Sequence, residues 1–227
     1  MVPSDSLRRH LELLKSLRGP GAGKPPRLAE LKAWQAARLR ATYADVAAQP
    51  RYAAATAFFL EDLYGPKDFS GRDQAMLRIV PVMARILPAS AVETAALAIE
   101  LEALSESLDH RVAQALPPGP IDSRTYADAY RSGSTRPERE RQVELIVAVG
   151  SRLDALVKKP FVGRTLKLMR KPAEMAGLGD LQDFLERGFE AFRGMGGAAG
   201  FLTLVDEREG EILSALFSGK PLPFSQA

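Results

Sequence analysis

Apolar residues recur every three to four positions in nearly every segment between the glycine and proline breaks of this chain. This spacing is typical of amphipathic helices. No stretch alternates apolar and polar residues over a sustained run rich in valine, isoleucine and threonine, as a strand would. The pattern predicts an all-α fold, a compact bundle of about seven to nine helices with no sheet.

Glycine and proline also predict where the helices end. Residues 19–26 are rich in both and predict a linker after a first helix, so we predict an N-terminal helix and linker in residues 1–26 and a single helical domain in residues 27–227. Thr135 and Glu138 have the spacing of a capping box and predict the start of a later helix. Farther on, the basic segment is predicted to end at Lys171, with a turn beginning at Pro172.

The composition and net charge of the chain exclude several kinds of functional site. The chain has 227 residues and no cysteine, which excludes disulfides, thiolate metal sites and thiol nucleophiles. The start of the chain lacks the apolar run of a secretion signal, so we expect a cytoplasmic protein. A net charge of +3 is too small to predict specific binding to nucleic acid.

Catalytic signatures are scarce. The sequence has no Gly-x-Ser-x-Gly motif, and its two histidines have no serine in a suggestive context, so no catalytic residue is predicted. The glycines of residues 194–200 are not preceded by a strand pattern or followed by Lys-Ser/Thr. They predict a break between two helices, and no cofactor is predicted. Enzymes that use only tyrosine, arginine and carboxylates stay open.

One long predicted helix is acidic. Between Ile86 and His110 there is no lysine or arginine. A di-iron site would need glutamates and Glu-x-x-His motifs from facing helices, and this pattern is missing, so no metal is predicted. We expect a solvated or ion-paired face. Its carboxylates are Glu93, Glu100, Glu102, Glu106 and Asp109.

A second segment is basic, with six cations and no acid in fourteen residues. Arg164, Lys167 and Lys171 follow helical spacing, which predicts an amphipathic basic helix. Such a helix fits an acidic protein partner or an anionic membrane surface, and a second copy of the chain is another candidate. The alternative is intramolecular, with the basic face against the acidic helix. The candidate interaction residues are Lys158, Lys159, Arg164, Lys167, Arg170 and Lys171. The apolar residues available for the other side of this helix are Phe161, Val162, Leu166 and Met169.

The densest aromatic cluster, in residues 58–73, also carries acids and an arginine. One interpretation is a helix–turn–helix corner, in which Gly65 and Pro66 turn the chain and an acid caps the next helix. The other is a small-molecule pocket with an aromatic floor. Its candidate ligand-binding residues are Asp62, Tyr64, Asp68, Arg72 and Asp73.

Residues 58–64 read Phe-Phe-Leu-Glu-Asp-Leu-Tyr. This run resembles the signature of the bacterial "FFLEELY motif" proteins, with Asp62 where that name has a glutamate. Residues 65–70 and 181–189 are also similar, so the resemblance covers most of the chain. That family is uncharacterised, and the resemblance implies a bacterial origin but no activity.

We therefore expect a non-catalytic binding or adaptor module that uses the basic amphipathic segment. The alternative is a small-molecule-binding pocket or an enzyme built around residues 58–73.

Overall fold

The computed structural model describes residues 3–19, 23–63, 89–220 and 222–223. Within these ranges the chain forms ten α-helices and no strand, and nine of the helices are longer than seven residues. The predicted all-α bundle is confirmed. None of the helices in the described ranges combines the length and the apolar character needed to cross a bilayer.

The first five helices are α1 (Pro3–Arg18), α2 (Leu28–Thr42), α3 (Ala44–Ala47), α4 (Pro50–Phe58) and α5 (Ala89–Ala115). The next five are α6 (Ser123–Gly133), α7 (Arg136–Val157), α8 (Pro160–Met175), α9 (Gly179–Gly194) and α10 (Ala199–Ser218). A π-helical turn (Phe59–Leu63) continues α4. The glycine run predicted to separate two helices does so, because α9 ends at Gly194 and α10 begins at Ala199.

The start of α7 follows the sequence signal closely. Thr135 is the N-cap, and its backbone N–H and its hydroxyl both donate to Glu138 Oε2 at 2.8 Å. Burial works to raise the pKa of Glu138, but hydrogen bonds from Arg111 and Thr135 outweigh it and lower the pKa to about 2. The capping box therefore keeps Glu138 negatively charged in the first turn of α7, where the helix dipole favours a negative charge.

The predicted turn at Pro172 is wrong, because α8 continues through this residue to Met175. A proline inside a helix cannot donate the hydrogen bond to the carbonyl four residues earlier, here that of Leu168. Leu168 and Pro172 are both exposed, so water can hydrate that carbonyl and the helix tolerates the missing bond.

The centre of the bundle is α7, which packs against α5, α8, α9 and α10. On one side of it, α5 also packs against α1, α2 and α6. On the other side, α8 packs mainly against α9, with a smaller contact to α7. The acidic helix α5 is therefore covered by neighbours, and the basic helix α8 lies at an edge of the described structure.

The N-terminal helix α1 packs along α5. Leu7 and Leu14 of α1 are buried against Ile99 and Ala103 of α5. At the end of α1, Arg18 Nε donates to Glu106 Oε2 of α5 at 2.7 Å. An apolar contact and an ionic contact thus join α1 to the bundle. The domain boundary at residue 26 stays a prediction.

Candidate docking surface on the basic helix

Helix α8 is held to the bundle along its inward side. Val162 and Leu166 are half-buried on this side and Ala173 is buried. Gln182 of α9 also donates from Nε2 to the carbonyl oxygen of Leu166 at 2.7 Å. These contacts fix the rotation of α8 about its axis, and therefore decide which of its side chains point outward.

Gly163 makes this close packing feasible. A Cβ atom at position 163 would lie 2.8 Å from Cζ of Phe189 on α9, closer than side-chain carbons approach each other. The missing side chain lets α8 lie tightly against the Phe189 ring.

The outward side of α8 carries large apolar side chains. Leu168 is 78% exposed and Met175 is 90% exposed, and Phe161 is 53% exposed and also borders the apolar cavity described below. Residues seven apart in a helix lie on nearly the same face, so these three form one stripe, which we call the apolar stripe. Met169 is 49% exposed beside it. The stripe spans roughly 21 Å along the helix axis, at 1.5 Å per residue.

Three exposed cations, Arg164, Lys167 and Lys171, border the apolar stripe. At about 100° per residue, Arg164 lies about 40° from Leu168 around the helix, and Lys171 and Lys167 follow on the same side. None of the three forms an ion pair with any residue that the structure describes. The pKa of Glu186 is lowered mainly by hydrogen bonds from Arg170 and Gln182, and the charge of Lys167 makes only a minor contribution to lowering it, so all three charges are available to an external group. We call these residues the free cations.

The other cations of the basic segment are placed differently. Arg170 forms ion pairs with Glu186 and Asp183 of α9. The hydrogen bond from Arg170 is the main reason that the pKa of Glu186 lies below its usual value. Lys158 Nζ lies 2.6 Å from Asp154 Oδ2. Arg170 and Lys158 are therefore engaged within the bundle. Lys159 is half-buried at the N-cap of α8.

The acidic helix α5 does not face this surface. Its carboxylates pair with cations from other helices: Glu93 with Arg152, Glu100 with Arg141, Glu102 with Arg18, and Glu106 with both Arg18 and Lys32. The partners of these four carboxylates lie on α1, α2 and α7. The intramolecular alternative, with the basic segment against the acidic helix, does not describe this arrangement.

Glu106 is the centre of that ionic cluster. Its side chain is 3% exposed, and Lys32 Nζ lies 3.0 Å and 2.9 Å from its two carboxylate oxygens. Burial works to raise the pKa of Glu106, but the charges of Arg18 and Lys32 outweigh burial and lower the pKa below its usual value. One turn along, burial raises the pKa of Asp109, although Gln35 donates a hydrogen bond to it.

This cluster consists of mixed ion pairs. His110 Nε2 lies 3.4 Å from Glu106 Oε1. Within the described ranges, no group of three histidine, aspartate or glutamate side chains has an arrangement that could hold a metal ion. The cations that surround Glu106 already compensate its charge.

The aromatic-acidic segment is described only in its first part. Phe58 is buried, and its ring lies 5.3 Å from that of Phe184, measured between centroids. Phe59 similarly lies 5.5 Å from Phe201. These rings contribute to the core. The side chain of Asp62 lies outside the described residues. So do Tyr64, Asp68, Arg72 and Asp73, and the ligand-binding role of all five stays a prediction.

Phe58, Phe59 and Leu60 also border a largely apolar cavity of about 1500 Å³. Ser90 and Thr94 of α5 border the same cavity. The chain that joins these two rims, residues 64–88, lies outside the described residues. We assign no ligand to this cavity.

Sequence reasoning identified the cations of α8 but missed the apolar stripe. It grouped Phe161 and Met169 with Val162 and Leu166 as the residues available for the side of the helix away from the cations. In the structure all four border the large apolar cavity, and Phe161 and Met169 are in addition about half exposed. The signal for the stripe was the repeat of large apolar residues at 161, 168 and 175.

Comparison with known proteins gives a family but no activity. A family described as a domain of unknown function (DUF8198) matches residues 20–223, and this chain belongs to that family. The match leaves α1 outside and includes the other nine helices. No curated protein and no solved structure matches the chain. The resemblance to the FFLEELY motif proteins stays a prediction.

Proposed function

We propose that this protein is a non-catalytic binding module that docks on an anionic partner through α8. The observation that carries the proposal is the pairing of the apolar stripe with the free cations on one outward face. Apolar area supplies affinity when it leaves water, and unpaired cations select a negatively charged surface. The two features lie side by side, so one partner surface can engage both.

The distribution of exposed apolar residues supports this choice of surface. Six large apolar side chains are exposed among the described residues, and four of them lie on α8. Leu13 and Leu185, the other two, are each less than half exposed. Scattered exposed apolar residues are ordinary, but four on one helix beside three like charges are typical of an interaction site.

The attachment of α8 to α9 supports the proposal in a second way. Buried Ala173 and the hydrogen bond from Gln182 to Leu166 hold α8 in place, so the outward face is presented on a fixed helix. A preformed surface loses less conformational entropy on binding than one that must fold first.

Site-specific photo-crosslinking in the native host tests this proposal. A photoreactive amino acid replaces Leu168 on α8, or Glu211 on an exposed part of α10 as the matched control. We expect crosslinked products at position 168 that are absent at position 211.

Charge reversal gives the second arm of that test. Substituting Arg164, Lys167 and Lys171 with glutamate should abolish the products at position 168. Equal reversal at three exposed cations elsewhere should preserve them; these are Arg40, Arg124 and Lys220. Products at 168 that survive reversal on α8, or that also form at 211, would contradict the proposal.

A further inference from the structure

We infer that the anionic partner of α8 is a lipid bilayer surface, on which the helix lies parallel to the membrane plane. This inference rests on the proposed function, and it commits that function to one class of partner. An acidic protein is the competing class and becomes an outcome of the test.

The apolar stripe has the length and shape of a membrane-surface helix. Phe161, Leu168 and Met175 lie on one face over roughly 21 Å, with no charged residue among them on the stripe itself. They project from an edge of the described structure, where α8 is covered by α9 and, less extensively, by α7 on its inward side. A helix that lies in the interface buries such a face at the boundary of headgroups and acyl chains.

The free cations are placed so that their charged ends can reach lipid phosphates when the apolar stripe is buried in the bilayer. Arg164, Lys167 and Lys171 are exposed and border the stripe along one side. Their long apolar stems can follow the stripe downward while the charged ends stay among lipid phosphates. Each cation near an anionic surface adds to the attraction, so three cations in two turns add substantially.

The shape of the surface favours a bilayer over an acidic protein. The three apolar side chains protrude from a convex helix, so a protein partner would need a matching hydrophobic groove bordered by acids. A bilayer needs no matching groove, because its acyl chains rearrange around each inserted side chain. A bilayer also satisfies cations at several positions, since lipid phosphates move laterally.

Vesicle flotation tests the inference with purified full-length protein. One set of vesicles contains equal parts of phosphatidylglycerol and phosphatidylcholine, and the other contains phosphatidylcholine alone. We expect the protein to float with the anionic vesicles at low salt, to float less at physiological salt, and not to float with the neutral vesicles.

Matched variants locate the binding surface. Substituting Arg164, Lys167 and Lys171 with glutamine should weaken binding to anionic vesicles roughly hundredfold. The control substitutes Arg40, Arg124 and Lys220 with glutamine, which removes the same net charge from exposed positions elsewhere. This control should bind within about threefold of the original protein. Equal losses in the two triple variants would mean that net charge alone drives binding, and would overturn the inference.

The apolar stripe is tested separately. Substituting Leu168 and Met175, the two most exposed residues of the stripe, with serine should weaken vesicle binding by about tenfold or more and leave the thermal unfolding curve nearly unchanged. Binding that is indifferent to these substitutions would overturn insertion of the stripe.

The two levels of the proposal fail in different ways. If vesicles are not bound but Leu168 still crosslinks to a protein in a charge-dependent way, the bilayer inference is wrong and the proposed function stands. If neither vesicle binding nor charge-dependent crosslinking is seen, both are wrong.

Discussion

Helices α5 and α8 carry clusters of opposite charge, and the structure uses the two clusters differently. On α5, the carboxylates of Glu93, Glu100, Glu102 and Glu106 are paired with cations from α1, α2 and α7. On α8, three of six cations point outward and form no ion pair with a described residue. Two charge clusters that look alike in sequence therefore differ in the structure. The cluster on α5 joins helices of the bundle, and the cluster on α8 leaves a charged surface available to a partner.

The apolar residues of α5 and α8 also differ, in how far they are exposed to solvent. Leu108 of α5 has no exposed surface, whereas Leu168 of α8 is 78% exposed. The difference arises from the neighbours, since among the described helices α5 packs against α1, α2, α6 and α7, whereas α8 packs mainly against α9 and to a smaller extent against α7. Whether a leucine is buried or exposed therefore depends on how many neighbouring helices cover the helix that carries it.

Truncating the two leucines gives the largest expected contrast. Leu108→Ala removes a buried side chain and leaves a cavity, so we expect a loss of about 3 kcal/mol in the free energy of unfolding. Leu168→Ala removes an exposed side chain, and we expect a change within about 0.5 kcal/mol. Urea denaturation measures both. Similar losses in the two variants would show that Leu168 is buried in solution, for example in a dimer.

Removing the central carboxylate of α5 is the next largest effect. Glu106→Ala leaves Arg18 and Lys32 without their shared partner inside the bundle, and we expect a loss of about 2 kcal/mol. The loss is below that of a fully buried pair because the side chains of Arg18 and Lys32 are partly exposed and can be rehydrated. The control is Glu144→Ala, at a mostly exposed carboxylate of α7, where we expect less than about 1 kcal/mol. Urea denaturation again measures the change, and equal losses in the two variants would contradict a special role for Glu106.

Much of the fold followed from local patterns. Helical periodicity gave the all-α class, and the spacing of Thr135 and Glu138 gave the start of α7. Pro172 was misread, because whether a proline ends a helix depends on whether the freed carbonyl can be hydrated. That depends on exposure, which the sequence does not state locally.

The candidate site was predictable only in part. Cation spacing on α8 was visible in the sequence, but the inward side of the helix was set by packing against α9, through contacts such as that of Gly163 with Phe189. The pairing of Glu106 with Arg18 joins residues 88 positions apart. Long-range contacts of this kind have no local signal, so charge runs alone could not separate a paired helix from an available one.

Two acids on α5, Glu106 and Asp109, should affect the stability of the protein in opposite ways as the pH changes. The folded pKa of Glu106 is lowered, so its contribution to stability is complete above its usual pKa of 4.5 and is lost as the pH falls through the lower folded value. The folded pKa of Asp109 is raised, so its contribution is complete below its usual value of 3.8 and is lost as the pH rises through the higher folded value.

Two conservative variants check these opposite signs. Glu106→Gln should be less stable than the original protein at neutral pH and should lose less stability on acidification below 4.5. Asp109→Asn should remove the loss that accompanies ionisation of Asp109 as the pH rises. Urea denaturation at a series of pH values, from below 3.8 up to neutral pH, measures both effects. A steeper acid loss in Glu106→Gln would show that the carboxylate is not stabilised by Arg18 and Lys32.

Neutralising the free cations of α8 should have the smallest effect on stability. Arg164, Lys167 and Lys171 form no ion pair with a described residue, so replacing all three with glutamine removes no internal contact of this kind. We expect each replacement to change the free energy of unfolding by less than about 0.5 kcal/mol, with little dependence on salt. Thermal and urea unfolding at low and physiological salt measure this. A large, salt-sensitive loss would mean that these cations hold the bundle together, as the carboxylates of α5 do, and the contrast between the two helices would fail.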